Sequence, residues 1–247
     1  MAAAMPIRLL PALFAFAVTL ASLPAPAQSC PEPLASARRL VLVTADGFRT
    51  SKATLQRFER AAADEPWRAL GGAEPALIGR AGMAWSHFFR AFSARGEPRK
   101  VEGDKRAPAG LYRIGQGFGT LPPNRTGYVH VAEGMTCVDD VSSPAYNTIT
   151  SRAQVGWKVS GENMWRAPEY VRGLLVDYPT DAGARAGSCI FIHARVPGKT
   201  GTGGCVALPL ARVEALQDFA APGAVLAILP RQALQRFKGC LPAPPRF

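Results

Sequence analysis

The stretch FIHARVPGKTGTGGCVALP, residues 191–209, contains the residue types that nucleophilic catalysis by cysteine needs. His193 stands twelve positions before Cys205, and the loop between them ends in Gly203 and Gly204. A free thiol is little ionised at neutral pH, so a nucleophilic cysteine needs a neighbouring base to take its proton. Glycines let successive backbone N–H groups point at one spot, as an oxyanion hole requires. This pattern predicts a thiol nucleophile with an imidazole base.

Two other interpretations of the same residues stay open at this point. Cys205 could be half of a disulfide beside an ordinary core histidine, since disulfides are common in exported proteins. A zinc site is disfavoured because no C-x-x-C, H-x-x-x-H or carboxylate cluster flanks the pair, so we expect neither a metal nor another cofactor. His87 and His130 lie in less regular segments without a turn motif, and we interpret both as ordinary polar residues.

The first 27 residues have the features of a secretory signal. Arg8 supplies the positive charge, residues 9–23 are apolar but short for a membrane span, and Ala25-Pro26-Ala27 fits a cleavage site. An uncleaved anchor is the alternative, disfavoured by the short stretch and by Pro11. We therefore expect cleavage after residue 27 and an exported, periplasmic protein without stable membrane insertion.

Export would place the five cysteines in an oxidising compartment, where cysteines tend to pair. Five is an odd number, so one thiol is left over, and any four paired cysteines still allow three connectivities. Counting alone does not say which cysteine is free among Cys30, Cys137, Cys189, Cys205 and Cys240.

The chain is basic, with a formal net charge of +11 that falls to +10 when Arg8 is removed with the signal. A basic exported domain fits a polyanionic surface such as a cell wall. The basic residues are scattered rather than gathered on one helix, and no nucleic-acid-binding module is recognisable, so we expect no nucleic-acid partner.

Short strands punctuated by glycine and proline predict a mainly β fold, forming one domain over residues 28–230 with a tail at 231–247. Helical spacing of Leu55, Phe58 and Ala62 predicts a helix over 51–63, and a second helix is expected after Pro209. Strands are predicted at 38–45, 75–85, 109–115, 172–179, 187–194 and 224–230.

Four segments resemble the catalytic domain of L,D-transpeptidases, also called the YkuD domain. IHARVPGKTGTGGCVAL looks like the family's histidine strand, loop and Ser/Thr-x-Gly-Cys turn. EGDKRAPAGLYRIG (102–115) resembles its glycine-aspartate, proline and glycine segment. CVDDVSSPAYNTI (137–149) and GENMWRAPEYVRGLLVDY (161–178) look like central segments of an exported bacterial branch. The resemblance covers about residues 100–210.

This resemblance implies a largely β sandwich or sheet core with a few short helices. It also implies an enzyme that cleaves peptide bonds beside diaminopimelate in peptidoglycan stems through a cysteine thioester, then passes the acyl group to an amine or to water. By position, Cys205 would be the nucleophile and His193 the base. The N–H groups of Gly203, Gly204 and Cys205 would form the oxyanion hole.

The sequence departs from the family at two positions. Many members have a histidine where this chain has Gly203, and an arginine or asparagine where it has Ala207. Arg195 and Lys199 are candidates to bind the substrate carboxylate instead. The acyl acceptor therefore stays open between a transpeptidase and a hydrolytic cell-wall peptidase, and a peptidoglycan-binding module with little activity is a third possibility. The oligomeric state is not readable from the sequence.

The resemblance also suggests a pairing for the cysteines. If Cys205 is the free nucleophile, two bridges can form, with Cys137 joined to Cys189 and the chain ends joined through Cys30 and Cys240.

Overall fold

The structure is a computed structural model that describes residues 1, 30–220 and 223–242. Apart from residue 1, the predicted signal segment lies outside the described residues. Within the described ranges, no helix is long and apolar enough to cross a bilayer.

Strands dominate the described part of the chain, and the few helices are short, which confirms the predicted mainly β fold class. The strands are β1 (Arg39–Ala45), β2 (Lys52–Glu59), β3 (Arg68–Leu77), β4 (Met83–Trp85), β5 (Ala107–Gly119), β6 (Val129–His130), β7 (Met135–Val138), β8 (Ile149–Ser151), β9 (Gly161–Asn163), β10 (Gly173–Asp177), β11 (Phe191–Ala194), β12 (Val206–Leu208) and β13 (Val225–Pro230). The α-helices are α1 (Arg152–Val155) and α2 (Leu210–Ala220), and 3-10 helices span His87–Phe92, Met164–Arg166, Pro168–Val171 and Arg231–Phe237.

The main sheet closes on itself. Its order is β10-β11-β12-β3-β2-β1-β13-β5, and β5 pairs again with β10, so eight strands form a ring. β4 and β6 extend β5 beyond this ring. A separate small sheet has the order β8-β7-β9, and we call it the small sheet. The sequence predicted a sheet or sandwich core, and the closure of the sheet is what the structure adds.

The core lies inside the closed sheet and under α2. Strand β13 is buried along its whole length, which matches its continuous apolar sequence. Helix α2 begins directly after Pro209, as predicted, and packs against β10 and β11. Its buried Gln217 donates a hydrogen bond from Nε2 to the Gly173 carbonyl at 2.6 Å, which fixes the helix to the strand beside β11.

The helix predicted over residues 51–63 is wrong, because residues 52–59 form β2 and the chain leaves regular structure after it. Ala53, Leu55 and Phe58 are buried, and the pairing with β3 shifts register between Leu55 and Arg57. A bulge of this kind changes which side chains face inward, so the inward positions are spaced two and then three residues apart. That spacing imitates one face of a helix over a short segment.

Three other boundaries differ from the prediction. The strand expected at 75–85 is two strands, because the chain turns through Gly82 at a φ of +89°. The strand expected at 187–194 begins only at Phe191, because Cys189 has a φ of +56°. The segment 231–242, assigned to a tail, contains a 3-10 helix with buried Phe237.

The cysteines pair as the resemblance suggested. Disulfides join Cys30 to Cys240 and Cys137 to Cys189. Among the described residues, Cys205 is the free cysteine. The first bridge fastens the two ends of the domain, and the second joins β7 of the small sheet to the segment that enters β11.

Candidate active site

Adjacent parallel strands position the two candidate catalytic residues. Strands β11 and β12 pair with His193 opposite Ala207, and Cys205 immediately precedes β12. Because side chains alternate between the faces of a strand, residues two apart point to the same side. Cys205 and His193 accordingly line the same cavity, of about 450 Å³.

The turn before Cys205 is built by Thr202. Its hydroxyl donates to the Cys205 carbonyl at 2.7 Å and accepts from the Gly204 N–H at 3.1 Å. The Thr202 N–H also donates to the Ile78 carbonyl at 2.9 Å, which fastens the turn to the end of β3. Gly204 has a φ of +155°, and a Cβ there would lie 3.1 Å from the Arg106 carbonyl, so this position requires glycine.

The Cys205 thiol is held among backbone groups. The residue is 6% exposed. Its Sγ accepts a hydrogen bond from the Phe191 N–H at 3.3 Å and lies 3.4 Å from the Cys189 carbonyl oxygen. These contacts fix the position of the sulfur beside the first residue of β11.

The His193 ring is held at one nitrogen and by one neighbouring aromatic ring. Its Nδ1 lies 2.9 Å from the Ala194 carbonyl oxygen, and the ring of Tyr170 makes an edge contact with centroids 5.6 Å apart. A carbonyl can only accept a hydrogen bond, so this contact assigns the proton to Nδ1. The lone pair on Nε2 is then free to act as a base.

Burial keeps both groups neutral. It raises the pKa of the Cys205 thiol, and the carboxylates of Glu162 and Glu169 raise this pKa further. The Phe191 N–H and Lys100 act in the other direction and lower it by less. Burial also lowers the pKa of His193, and this effect exceeds the opposite effect of the Ala194 carbonyl and Glu169, which raise it. The resting pair is therefore a thiol beside a neutral imidazole, rather than a thiolate beside an imidazolium.

The cavity brings together every residue that the sequence singled out for the site. Gly203, Gly204, Arg195 and Lys199 line it with the catalytic pair. Arg195 and Lys199 are exposed at its mouth, on the loop between β11 and the Thr202 turn.

The three amides proposed for the oxyanion hole are not equivalent. The Gly204 N–H is already donated to the Thr202 hydroxyl. Gly203 is exposed, and its φ is not in the left-handed region. The predicted nest of three amides is therefore reduced to Gly203 and Cys205 as candidate donors to an oxyanion.

Sequence reasoning missed the acidic and aromatic wall of the cavity. Glu162 comes from β9, and Glu169 and Tyr170 come from the 3-10 helix Pro168–Val171. They lie within the segment 161–178 that carried part of the resemblance, but no spacing in it indicated a role for these side chains. The cavity also includes basic groups that the motif did not indicate, among them Arg80, Lys100 and Lys105.

Comparisons with known proteins add little to this geometry. No family model matches the chain, and no curated protein matches it. Among solved structures, the chain is similar to the Bdellovibrio bacteriovorus protein Bd1075, at 17% sequence identity and a TM-score of 0.41. The match covers 81% of this chain and 51% of Bd1075, so the chain spans about half the length of that protein.

Proposed function

We propose that the protein is an exported cysteine acyltransferase of the L,D-transpeptidase type, which cleaves and re-forms peptide bonds at diaminopimelate in peptidoglycan stems. One observation carries the proposal: the free thiol of Cys205, directly before β12, and the imidazole of His193, on the neighbouring strand β11, line one cavity. The two disulfides are compatible with an oxidising compartment.

In the first step, Sγ of Cys205 bonds to the carbonyl carbon of the scissile peptide while its proton moves to Nε2 of His193. The negative charge that develops on the carbonyl oxygen is stabilised by backbone N–H groups, for which Gly203 and Cys205 are the candidates. The carbon–nitrogen bond then breaks, and His193 returns the proton to the leaving amine. The product of this step is a thioester on Cys205.

In the second step, an amine or a water molecule attacks the thioester carbon and gives a proton to His193, and Cys205 leaves as the thiol. The cavity is lined by residues of both charges. Arg195 and Lys199 supply positive charge at its mouth, and Glu162 and Glu169 supply negative charge in its wall. A wall of mixed charge is compatible with a stem peptide that bears carboxylate and ammonium groups. This supports a peptide substrate but leaves the acceptor open between an amine and water.

Acylation by a carbapenem tests the nucleophile. We expect the wild-type protein to gain the mass of one carbapenem molecule, because the β-lactam ring opens without losing a group, and the Cys205→Ala variant to gain none. A His193→Gln variant should be acylated more slowly by a factor of at least about a hundred, because a general base contributes at least on that order. Products from a diaminopimelate muropeptide, analysed by mass spectrometry, would then separate cross-linked from hydrolysed species.

A wall-binding module with little activity is the second candidate, favoured by the burial of Cys205 and by the absence of a histidine at Gly203. Such a module would bind wall fragments without forming an adduct. Equal processing of muropeptides by wild type and Cys205→Ala would contradict the enzyme proposal. An Arg195→Ala variant with unchanged substrate affinity would exclude Arg195 from carboxylate binding, and Lys199→Ala tests the other candidate in the same way.

A further inference from the structure

Tyr170 is fixed in the core beside the candidate base. The residue is 1% exposed, and its ring also contacts Phe118 and Phe191, at centroid distances of 5.6 and 5.7 Å. Its contact with the His193 ring is almost perpendicular, at an interplanar angle of 86°. Tyr170 therefore joins the aromatic cluster behind β11 to the imidazole.

The hydroxyl of Tyr170 reaches the small sheet. It donates a hydrogen bond to Oε2 of Glu162 at 2.6 Å. Glu162 lies on β9, directly opposite Cys137 of β7 in the antiparallel pairing. The acceptor for Tyr170 is thus carried by a sheet separate from the one that carries His193.

We propose that Tyr170 is a positioning residue for His193 and that Glu162 holds Tyr170 in place through this hydrogen bond. The inference rests on the proposed function, in which His193 is the base for Cys205. The bond from Nδ1 to the Ala194 carbonyl restrains one nitrogen of the imidazole, but a single hydrogen bond leaves the ring free to rock about it. The perpendicular contact with Tyr170 restrains this rocking of the imidazole ring.

Three substitutions separate positioning from packing. Tyr170→Phe keeps the ring contacts and removes only the donor. Glu162→Gln keeps an acceptor of the same size and removes the charge, whereas Glu162→Ala removes the acceptor. If Tyr170 works through its bond to Glu162, then Tyr170→Phe and Glu162→Ala should impair the same step, and Glu162→Gln should rescue it.

The rate of Cys205 alkylation by iodoacetamide reports this step without a peptide substrate. At one fixed pH we expect Tyr170→Phe to slow alkylation by about tenfold relative to wild type, and Glu162→Ala to be about tenfold slower than Glu162→Gln, which lacks the same charge, on the order of losing one hydrogen bond. Glu162→Gln should react at least as fast as wild type. The double variant Tyr170→Phe/Glu162→Ala should be no slower than either single variant, because the two residues act through one contact.

Tyr146 offers a matched control. Its hydroxyl donates to Oε2 of Glu102, also at 2.6 Å, and accepts from the Gly187 N–H at 3.1 Å, so Tyr146→Phe removes the same kind of tyrosine–glutamate bond, and one backbone bond besides, without touching the His193 ring. We expect this control to alkylate at the wild-type rate. Thermal melting of each variant identifies any that is unfolded, and if Glu162→Ala does not fold, Tyr170→Phe and Glu162→Gln decide the question.

The outcomes distinguish this inference from the proposed function. If His193→Gln is alkylated as fast as wild type, the proposed base is wrong. If alkylation depends on His193 but is unchanged in Tyr170→Phe, the positioning role alone is overturned. Equal slowing by Glu162→Gln and Glu162→Ala would also overturn it, because a retained acceptor would then have no effect.

Discussion

The carbonyl oxygen of Cys189 lies 3.4 Å from Sγ of Cys205, so a disulfide-bonded cysteine touches the free thiol of the site. The N–H of Cys189 is held at 2.8 Å by the Asn147 side-chain oxygen. Its disulfide partner, Cys137, lies opposite Glu162 in the small sheet. The bridge therefore connects the wall that carries Glu162 to the backbone that contacts the nucleophile.

This connection predicts that the two disulfides have different effects. We expect Cys137→Ser/Cys189→Ser to slow carbapenem acylation of Cys205 by at least about tenfold, because both the thiol contact and the position of Glu162 depend on the bridge. Cys30→Ser/Cys240→Ser should leave the acylation rate of the folded protein unchanged. Each double variant should lose about 2–5 kcal/mol of the free energy of unfolding, as removal of a native disulfide does.

Acylation rates measured below the melting temperature of each variant check this prediction, and chemical unfolding measures the stability. Paired serines avoid a stray thiol that could exchange with Cys205. The prediction is wrong if both double variants acylate at the wild-type rate while folded.

The pH dependence of alkylation should report a neutral pair. Burial raises the pKa of the Cys205 thiol and lowers that of His193, so the thiolate fraction is small at neutral pH. We expect the iodoacetamide rate of the substrate-free protein to contain a part that does not change with pH near neutrality, where the neutral imidazole of His193 assists the thiol, and to rise further above pH 9 as free thiolate forms. The pH-independent part should be absent from His193→Gln, and a rate that no longer rises above pH 9 would instead indicate a thiolate–imidazolium pair.

Glu162→Gln should move this profile to lower pH. The charges that act on the thiol are the carboxylates of Glu162 and Glu169, which raise its pKa, and Lys100, which lowers it. Removing one of the two carboxylates leaves less negative charge to oppose the thiolate. A profile shifted to higher pH, or one that does not move, would contradict this sign.

The sequence indicated Cys205 and His193 as the candidate nucleophile and base because both belong to a motif that is continuous along the chain. The disulfide pairing, which the structure confirms, followed from the resemblance once Cys205 was set aside as the free thiol. Glu162 and Tyr170 were missed because they lie more than twenty residues before His193 and reach the site only through the small sheet and the folding of β10 beside β11. The helix predicted over 51–63 failed for a local reason, since a bulge in β2 gave Leu55 and Phe58 a helical spacing. Closure of the sheet depends on pairing between β5 and β10, which no local pattern encodes.

The two glycines before Cys205 should respond differently to substitution. A Cβ at Gly203 meets nothing within 4 Å, whereas at Gly204 it would lie 3.1 Å from the Arg106 carbonyl and 3.2 Å from the Ile190 side chain. We expect Gly203→Ala to leave the free energy of unfolding within about 0.5 kcal/mol of wild type, as at an open surface position. Gly204→Ala should cost about 1–3 kcal/mol, because of its φ and the close carbonyl. Chemical unfolding of the two variants checks the difference, and equal stabilities would contradict it.

The ion pair between Glu97 and Arg236 should make the domain sensitive to acid. The two guanidinium nitrogens lie 2.6 and 2.5 Å from the two carboxylate oxygens, and the side chains are only 10% and 27% exposed. Hydrogen bonding from Arg236 is the main cause that lowers the pKa of Glu97 to about 2, with further bonds from the Ala94 N–H and the Trp85 indole. This pair fastens the segment 231–242 to the loop that precedes β5.

Because the pKa of Glu97 is lower in the folded than in the unfolded protein, its stabilisation is complete above the unfolded value of 4.5 and is lost as the pH falls towards 2. We expect this carboxylate to contribute about 2–3 kcal/mol to the decrease in the free energy of unfolding over that range. Glu97→Gln should lack this part of the pH dependence and be less stable than wild type at pH 7.

Glu59→Gln is the matched control, because Glu59 pairs with Arg68 on the exposed surface, where ion pairs contribute little. Urea unfolding at pH 7, 4 and 2.5 measures the three proteins, and parallel curves for wild type and Glu97→Gln would show that the segment 231–242 is held by its disulfide and apolar contacts instead.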